Sequence, residues 1–345
     1  MNHDRADGTF ADFMMSMEPD FVSGAAPPLH LFITFPDIDL KDLPNVAASA
    51  GVAARLKTYD GKLHDLSVRL RKRGASAKLA VHDGIWTIVI RSLESPATAG
   101  EIFEKWLDNV HPKLTPAFFD SKQLLDIIDS FGRLEKPPDI NVSDYVLREY
   151  PEGPTHKTWE KGKPYERSIM ERQIEENNAP LDSIKFRVSA GRDSFDCRIS
   201  RNGHLVLYAG SIPQFVSLIL SPLTEIAKVN YDFFRYRERE FKDDRVVMHE
   251  IRLTVEKAIS PALLGRLGEA ICSSFMGAVL HSGNPMLYVN AIDRLDGSVF
   301  DVCAYPDEIV VMPFSKASPS SLIRLYMLIT EVAPLTRRPV EMRLG

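Results

Sequence analysis

A short pattern of two strands, a tight turn and a capped helix occurs three times along this chain. In the three copies, β-branched and aromatic residues flank turns at Asp83-Gly84, Asn202-Gly203 and Pro306-Asp307. Asp-Gly and Asn-Gly tolerate the positive φ angles of a type I′ turn, whose twist matches the strands that it joins. Serine and proline follow each hairpin, as is typical of a helix N-terminus. There serine accepts hydrogen bonds from free N–H groups, and the N–H that proline lacks would have had no partner within the helix. The pattern therefore predicts three hairpins, each followed by a helix.

The spacing of these turns indicates repetition on the scale of domains. They lie 119 and 105 residues apart, whereas the repeats of a solenoid protein recur about every 20–50 residues. Further strand and helix signals precede each hairpin, least clearly in the middle copy. We predict an α+β protein made of three diverged repeats of an antiparallel sheet packed by helices, in the order strand, helix, strands, helix. Common ancestry is the favoured interpretation, and chance recurrence of a common hairpin-helix motif is the alternative.

These signals predict seven segments along the chain. They are a flexible N-terminal arm (1–28), repeat unit 1 (29–113), a linker helix and loop (114–139), repeat unit 2 (140–234), a charged linker (235–245), repeat unit 3 (246–335) and a C-terminal tail (336–345). The linker helix is predicted at Ser121–Phe131. The proline- and charge-rich stretch between Pro137 and Pro164 is predicted to be poorly structured, apart from one strand at Ile140–Glu149.

Composition excludes some classes of protein but does not identify the function. The chain has 345 residues, of which 44% are hydrophobic and 26% charged, so it has enough apolar material for a core. A net charge of −5 excludes a surface that is basic throughout. Met1–Pro28 lacks the apolar core of a signal peptide, and no later stretch has the roughly 18–20 apolar residues of a membrane span. We therefore predict a cytoplasmic protein with no membrane partner.

Sequence motifs for catalysis and cofactor binding are absent. No Gly-x-Gly-x-x-Gly phosphate loop or Gly-x-Ser-x-Gly elbow occurs, and the nine histidines are dispersed. The three cysteines form no Cys-x-x-Cys pair, which argues against a zinc ribbon or a redox motif. We predict no cofactor, no metal and no catalytic residue. An enzyme whose cleft lies between the units is the weakest alternative.

The order strand, helix, antiparallel strands, helix resembles one half of the TATA-box-binding protein, a helix-grip fold. The segment Tyr305-Pro-Asp-Glu-Ile-Val-Val-Met-Pro-Phe-Ser-Lys-Ala-Ser318 is similar to that family's sequence of strand, turn, valine-rich strand and helix start. The resemblance implies a curved antiparallel sheet with long helices on one face. It also implies an open sheet face, which in that family binds the minor groove of DNA.

One segment has a strong local charge. Residues 55–78 contain eight Lys or Arg residues against Asp60 and Asp65, a balance of +6. The segment is predicted to form two strands that meet near Arg71-Lys72-Arg73. Cations at a hairpin tip can bind phosphates or an acidic protein, and they can also protect a strand edge from unwanted pairing. The candidate binding residues for nucleic acid or an acidic partner are Arg69, Arg71, Lys72, Arg73 and Lys78.

Trp159 is a second candidate contact, because it lies in a polar segment that is predicted to be a loop and aromatic residues often anchor partners. The leading hypothesis is a non-catalytic binding or assembly protein that presents repeated α+β units to another protein subunit. The alternative is a nucleic-acid-binding component that uses the basic hairpin around residues 69–73.

Overall fold

The structure is a computed structural model, and it divides the chain into two compact units. It describes residues 8–22, 27–60, 62–90, 96–111, 113–149, 153–177, 179–190, 193–235, 240–242, 245–247, 250–255, 258–283, 286–294, 297–314, 317 and 319–333. The larger unit contains Met1–Leu147, Pro154–Glu176 and Leu181–Tyr231. The smaller unit contains Arg148–Gly153, Asn177–Pro180 and Asp232–Gly345. The protein has the predicted α+β class, with one large antiparallel sheet and a second, smaller one.

The larger unit is built around the large sheet. Its helices are α1 (Gly8–Met15), α2 (Glu18–Val22), α3 (Leu43–Ser49), α4 (Pro96–Val110), α5 (Ser121–Ser130), α6 (Arg167–Asn177), α7 (Ile212–Phe215) and α8 (Ser221–Arg235). Its strands are β1 (Leu29–Pro36), β2 (Ala53–Asp60), β3 (Leu63–Leu70), β4 (Arg73–His82), β5 (Ile85–Ile90), β6 (Leu114–Pro116), β7 (Asp139–Glu149), β8 (Gly153–Pro164), β9 (Leu181–Ala190), β10 (Asp193–Ser200) and β11 (His204–Gly210).

The sheet of the larger unit has eleven strands in the order β2-β3-β4-β5-β1-β11-β10-β9-β7-β8, with β6 also paired to β1. Strand β1 is central, since Phe32 lies between Ile88 of β5 and His204 of β11. The first two predicted repeat units therefore share one continuous sheet. The boundaries of the three units stay a prediction, because the chain forms two compact units and the first two repeats lie within the same one.

The first hairpin follows the sequence prediction closely. Asp83 and Gly84 have φ angles of 46° and 83°, the positive values that a type I′ turn requires. At the second hairpin only Gly203 has a positive φ, of 70°. The predicted serine caps are present at Ser211, which accepts from Gln214 N, and at Ser260, which accepts from Leu263 N. The caps predicted at Ser95 and Ser318 lie outside the described residues.

Helices cover opposite faces of the two halves of the large sheet. Phe32 and Trp86 belong to a buried cluster that α3 and α4 close with Phe103 and Trp106. Phe35, which is three residues from Phe32 and so faces the other way, stacks on Tyr231 of α8 with ring centroids 5.4 Å apart. The arrangement differs from the expectation that all long helices lie on one face. The reason is that β11 joins β1 and continues the sheet, while its own helix crosses to the other side.

Residues 8–22 are two helices and not part of a flexible arm. Met14, Met17 and Phe21 are buried. The carboxylate of Glu18 accepts a hydrogen bond of 2.5 Å from the backbone N–H of Ile212. The prediction of a flexible arm is wrong for these residues, because tertiary contacts bury the apolar side chains of this short amphipathic segment.

The stretch between Pro137 and Pro164 is more ordered than predicted. The predicted strand Ile140–Glu149 is confirmed by β7, and a second strand, β8, lies where a poorly structured segment was expected, so that both continue the large sheet beyond β9. Pro137 and Pro138 precede β7, and Pro154 and Pro164 lie near the two ends of β8, an outer strand, where a missing N–H is tolerated. The helix predicted at Ser121–Phe131 is confirmed by α5, and Asp120 caps it by accepting from Gln123 N at 2.7 Å.

The smaller unit contains a two-stranded and a five-stranded sheet. Its strands are β12 (Glu240–Lys242), β13 (Arg245–Val247), β14 (Ile251–Thr254), β15 (Met276–Ser282), β16 (Leu287–Ile292), β17 (Val299–Ala304) and β18 (Glu308–Pro313), and its helices are α9 (Pro261–Ser274) and α10 (Pro319–Val332). Strands β12 and β13 pair, so the described part of the predicted charged linker contributes to a hairpin. The predicted tail 336–345 lies outside the described residues.

The five-stranded sheet has the same strand order as the first half of the large sheet. Its order is β14-β18-β17-β16-β15, and that of the first half is β1-β5-β4-β3-β2. In both, the first strand pairs with the last strand of a four-stranded meander, and one helix separates the first strand from the meander. The middle segment differs, because a hairpin of β7 and β8 precedes α6 and because β11 pairs with β1. Common ancestry of the three segments stays a prediction.

Candidate anion-binding face

The predicted basic hairpin is a two-residue turn between β3 and β4. Leu70 and Arg73 are the last paired residues, so Arg71 and Lys72 form the tip. Arg71 has a φ of 55°, which is unusual for a residue other than glycine. Arg69, Arg71, Lys72 and Arg73 are all exposed. The structure thus brings four of the five predicted site residues together at one end of the hairpin.

The strand register places two further cations beside them. Leu66 and Val68 of β3 point into the core below α4, so the alternate residues Ser67 and Arg69 point to the opposite face. Arg55 of β2 pairs with Ser67, and two residues further along Lys57 pairs with Asp65. The exposed side chains of Arg55, Lys57 and Arg69 therefore share one sheet face. We use the name basic face for these three together with Arg71, Lys72 and Arg73 of the adjoining end of the hairpin. Of the six, Arg73 pairs with Leu70 and so points to the other side of the sheet.

Lys78, the fifth predicted site residue, has a structural role. Its Nζ atom lies 2.6 Å from the Asp65 carboxylate, and it lies 5.9 Å from the centre of the Phe13 ring of α1. Lys78 is half-buried, unlike the six residues of the basic face. Asp65 is the acidic residue of these strands whose described side chain faces this side. It forms an ion pair with Lys78 next to the basic face.

Arg55 and Lys57 belong to the charged segment but are not among the site residues predicted from the sequence. A usable signal was present, because Arg55, Lys57 and Arg69 each occupy alternate positions to apolar residues of their own strands. That alternation predicts a face. It does not predict that the faces of β2 and β3 adjoin, which depends on register.

Trp159 lies in β8 and not in a loop. The loop prediction is wrong because the polar residues around it belong to an outer strand of the large sheet, where one face can be solvated. The side chain of Trp159 is outside the described part of the structure. Its role as a partner anchor stays a prediction.

A histidine pair joins the two halves of the large sheet. His30 Nδ1 and His204 Nε2 are 3.0 Å apart, and the His204 ring stacks on Phe32 with centroids 4.3 Å apart. Burial lowers the pKa of His30, and burial together with the nearby His30 and Arg198 lowers the pKa of His204 to about 3. Both rings are therefore neutral at pH 7, and the pair forms a partly buried hydrogen bond between β1 and β11.

Charged side chains on β7, β9 and β10 pair with one another. Arg187 donates to both carboxylate oxygens of Asp196, at 2.6 and 2.8 Å. Arg198 donates to Asp144 at 2.8 Å, and the Lys185 ammonium lies 4.3 Å from the Tyr208 ring centre. This surface is close to neutral because its charges alternate in sign. The basic face is different, since its cations greatly outnumber its acids.

The described ranges contain neither a metal-ligand cluster nor a membrane-spanning helix. In that part of the chain, no group of three or more His, Cys, Asp or Glu side chains is arranged to hold a metal ion. Among the same residues, no helix combines the length and the apolar character needed to cross a membrane. Comparison with protein-family models and with curated proteins found no match for this chain.

Proposed function

We propose that this chain is a non-catalytic binding protein and that its basic face binds a polyanionic macromolecule. The observation that carries the proposal is the arrangement of six exposed cations, Arg55, Lys57, Arg69, Arg71, Lys72 and Arg73, on one three-stranded corner of the large sheet. Asp65 is the described acid on this side, and Lys78 engages it.

The spacing and residue types favour phosphate groups as the ligand. Residues two apart on a strand are separated by about 6.8 Å, so Arg55 and Lys57 present separate charges along one direction. Arginine donates to a phosphate through two parallel N–H groups, which gives both geometry and strength. Four of the six cations are arginines. The chemistry that fits best is the sugar-phosphate backbone of a nucleic acid.

The described side chains of β2, β3 and β4 include no Phe, Tyr or Trp, the residues that stack on bases in single-strand binding proteins. Contacts made by Arg and Lys to phosphates fix position but do not read sequence. We therefore expect binding that depends on salt and only weakly on base sequence. The resemblance to the TATA-box-binding protein supports the same proposal, because α3 and α4 leave Arg55, Lys57 and Arg69 exposed on the opposite face of β2 and β3, while Phe13 of α1 lies near Lys78 of β4.

Edge protection explains only part of the basic face. Strand β2 is an outer strand of the large sheet, so Arg55 and Lys57 hinder the addition of a foreign strand there. Strands β3 and β4 are paired on both sides. Arg69, Arg71, Lys72 and Arg73 therefore have no edge to protect, and this favours a binding role over a purely protective one.

The test is a fluorescence-anisotropy titration with short labelled duplex DNA, single-stranded DNA and RNA at several salt concentrations. We expect the double variant Arg71→Glu/Arg73→Glu to weaken binding by more than about tenfold and to reduce the salt slope by about 2. The matched control is Arg133→Glu/Lys136→Glu, which makes the same change in net charge at exposed positions outside the basic face. We expect that control to bind within a factor of about 3 of the unchanged chain.

Three results would contradict the proposal. They are equal affinity of the two double variants, binding that does not respond to salt, and no binding at the lowest salt, where attraction is strongest. A polyglutamate peptide is titrated in parallel. Salt-dependent binding of that peptide, together with no binding of nucleic acid, would replace nucleic acid with an acidic protein as the partner.

A further inference from the structure

Strand β15 is an outer strand of the five-stranded sheet, and it is unusually apolar for an exposed position. Its sequence Met-Gly-Ala-Val-Leu-His-Ser has no Lys, Arg, Asp or Glu. Met276, Val279 and Leu280 are 55%, 46% and 57% exposed. They are three of the eight large hydrophobic side chains that are exposed in the described part of the protein, and they lie within five consecutive residues.

Strand β15 also has one side on which its backbone N–H and C=O groups face no neighbouring strand of the sheet. Strand β15 pairs with β16 on one side and ends the sheet order on the other. Alternate N–H and C=O groups of such a strand point away from its single neighbour and can pair with another chain. A register shift between Val279 and His281 marks a bulge at Leu280. The regular part of the edge is therefore Met276–Val279.

Two other outer strands, β2 and β14, carry the usual protection. Strand β2 presents Arg55 and Lys57, and β14 presents Arg252, which is exposed and paired with Glu250 and Glu308. Charged side chains on an edge disfavour the addition of another strand, and lysine and arginine are common choices. Strand β15 has no such charge, although its bulge limits the length available for pairing.

We propose that β15 pairs antiparallel with β15 of a second copy of this chain, across a twofold axis. A twofold contact uses the same surface from both copies, so each residue must tolerate its equivalents in the other copy. Strand β15 meets that condition because it has no ionisable acid or base other than His281. A partner of opposite charge would gain nothing here, whereas a second apolar strand buries Met276 and Val279 and satisfies both rows of backbone groups.

The contact closes after two copies. Each smaller unit has a single β15, and pairing of the two strands consumes both β15 edges and gives a continuous ten-stranded sheet. The outer strands of that sheet are the two copies of β14, where the charged residue Arg252 disfavours further pairing. A standard protein interface buries about 800 Å² per partner, more than one short strand supplies. We therefore expect a dimer that forms at micromolar concentrations and dissociates on dilution.

The test is sedimentation velocity of the full chain over a concentration series. We expect a monomer-dimer equilibrium for the unchanged chain. The variant Ala278→Lys/Leu280→Lys places like charges at the twofold contact and is expected to raise the dimer dissociation constant by more than about tenfold. The control is Val229→Lys, which adds a charge at an exposed apolar residue of α8 and is expected to leave the equilibrium unchanged.

A second measurement keeps the proposal testable if the double lysine variant does not fold. Met276→Lys changes the first residue of the strand alone, and hydrogen exchange of the unchanged chain reports on the β15 amides directly. We expect those amides to become protected as the concentration rises. A monomer at every concentration, larger open-ended assemblies, or a dimer that β15 variants leave intact would overturn the proposal. None of these results bears on nucleic-acid binding by the basic face.

Discussion

The segments Leu29–Val110 and Ile251–Val332 have the same order of strands and helices but different surfaces. In both, a first strand and a helix precede a four-stranded meander whose last strand pairs with the first. The outer meander strand is β2 in one and β15 in the other. Strand β2 is charged, whereas β15 is apolar and uncharged. The same strand order is thus compatible with outer strands of different chemistry. The charged strand β2 suits an anionic partner, and the apolar strand β15 suits another apolar strand.

The final helices of these segments are also anchored differently. Helix α4 is held by Phe103 and Trp106, whose rings are fully buried and meet edge to face at 6.1 Å. Helix α10 is held by Arg324, which donates to both oxygens of the buried Asp293 at 2.7 and 2.8 Å. Both helices bury apolar side chains, such as Leu325 and Ile329 of α10, and α10 has the ion pair in addition. Burial of an ion pair imposes a desolvation cost, so loss of one partner is severe.

The largest expected effect comes from breaking that ion pair. Replacing Asp293 by Ala leaves Arg324 without its carboxylate partner, and we expect the free energy of unfolding of the smaller unit to fall by about 3–5 kcal/mol. Differential scanning calorimetry measures the loss. The matched control is Glu308→Ala, which breaks an exposed pair with Arg252 and is expected to cost less than about 1 kcal/mol. Similar losses for both variants would contradict the assignment of Asp293 as the anchor.

The histidine pair should make the larger unit sensitive to acid. The folded pKa of His204, about 3, is below its ordinary value of 6.5, so the unfolded chain binds protons more strongly than the folded chain between these values. Stability is therefore complete above pH 6.5 and falls by up to about 1.4 kcal/mol for each pH unit below it. Tryptophan fluorescence during denaturant unfolding reports this unit, which contains all three tryptophans.

Two variants assign that acid sensitivity to the pair. His204→Gln removes the titrating group and should flatten the dependence of stability on pH between 6.5 and 4.5 or so. His82→Gln, a change at an exposed histidine, should retain the dependence of the unchanged chain. If His82→Gln flattened the curve as much as His204→Gln, the histidine pair would not be its cause.

The hairpin turns of the two segments should respond differently to alanine. Gly84 has a φ of 83°, where a Cβ atom adds strain, so Gly84→Ala should cost about 1–2 kcal/mol. Asp307 lies in the equivalent turn of the other segment and has no positive φ. Asp307→Ala should therefore change stability by less than about 0.5 kcal/mol. Chemical denaturation of both variants tests the comparison, and equal losses would show that the two turns are equivalent.

The smallest effect is expected when the charged outer strand β2 is made to resemble the apolar outer strand β15. Arg55→Val/Lys57→Val removes the charges of β2 and should make it resemble β15. We expect weak self-association through β2 in sedimentation velocity, in addition to any that β15 provides, since an exposed apolar edge invites pairing. The same variant combined with Ala278→Lys isolates the new contact. No added association would mean that charge is not what keeps β2 unpaired.

Local signals in the sequence predicted a large part of this fold. The Asp83-Gly84 turn, the helix at α5, the serine cap of Ser211 and the clustering of Arg71, Lys72 and Arg73 were all predicted from nearby residues. These features depend on backbone preferences and on hydrogen bonds between residues a few positions apart. Such local preferences can be inferred from the residue types alone. The α+β class follows from the same signals.

Only the tertiary structure decided which elements meet. The pairing of β1 with β11 joins His30 to residues more than 170 positions away. The engagement of Lys78 by Asp65, the joining of Arg55 to Arg69 on one face, and the burial of Met14 depend equally on contacts distant in sequence. An alternating pattern shows that a strand has a buried face but not which strand lies beside it. For that reason the sequence by itself determined the hairpins and their charges, and the register of the sheet determined which of those charges form a surface.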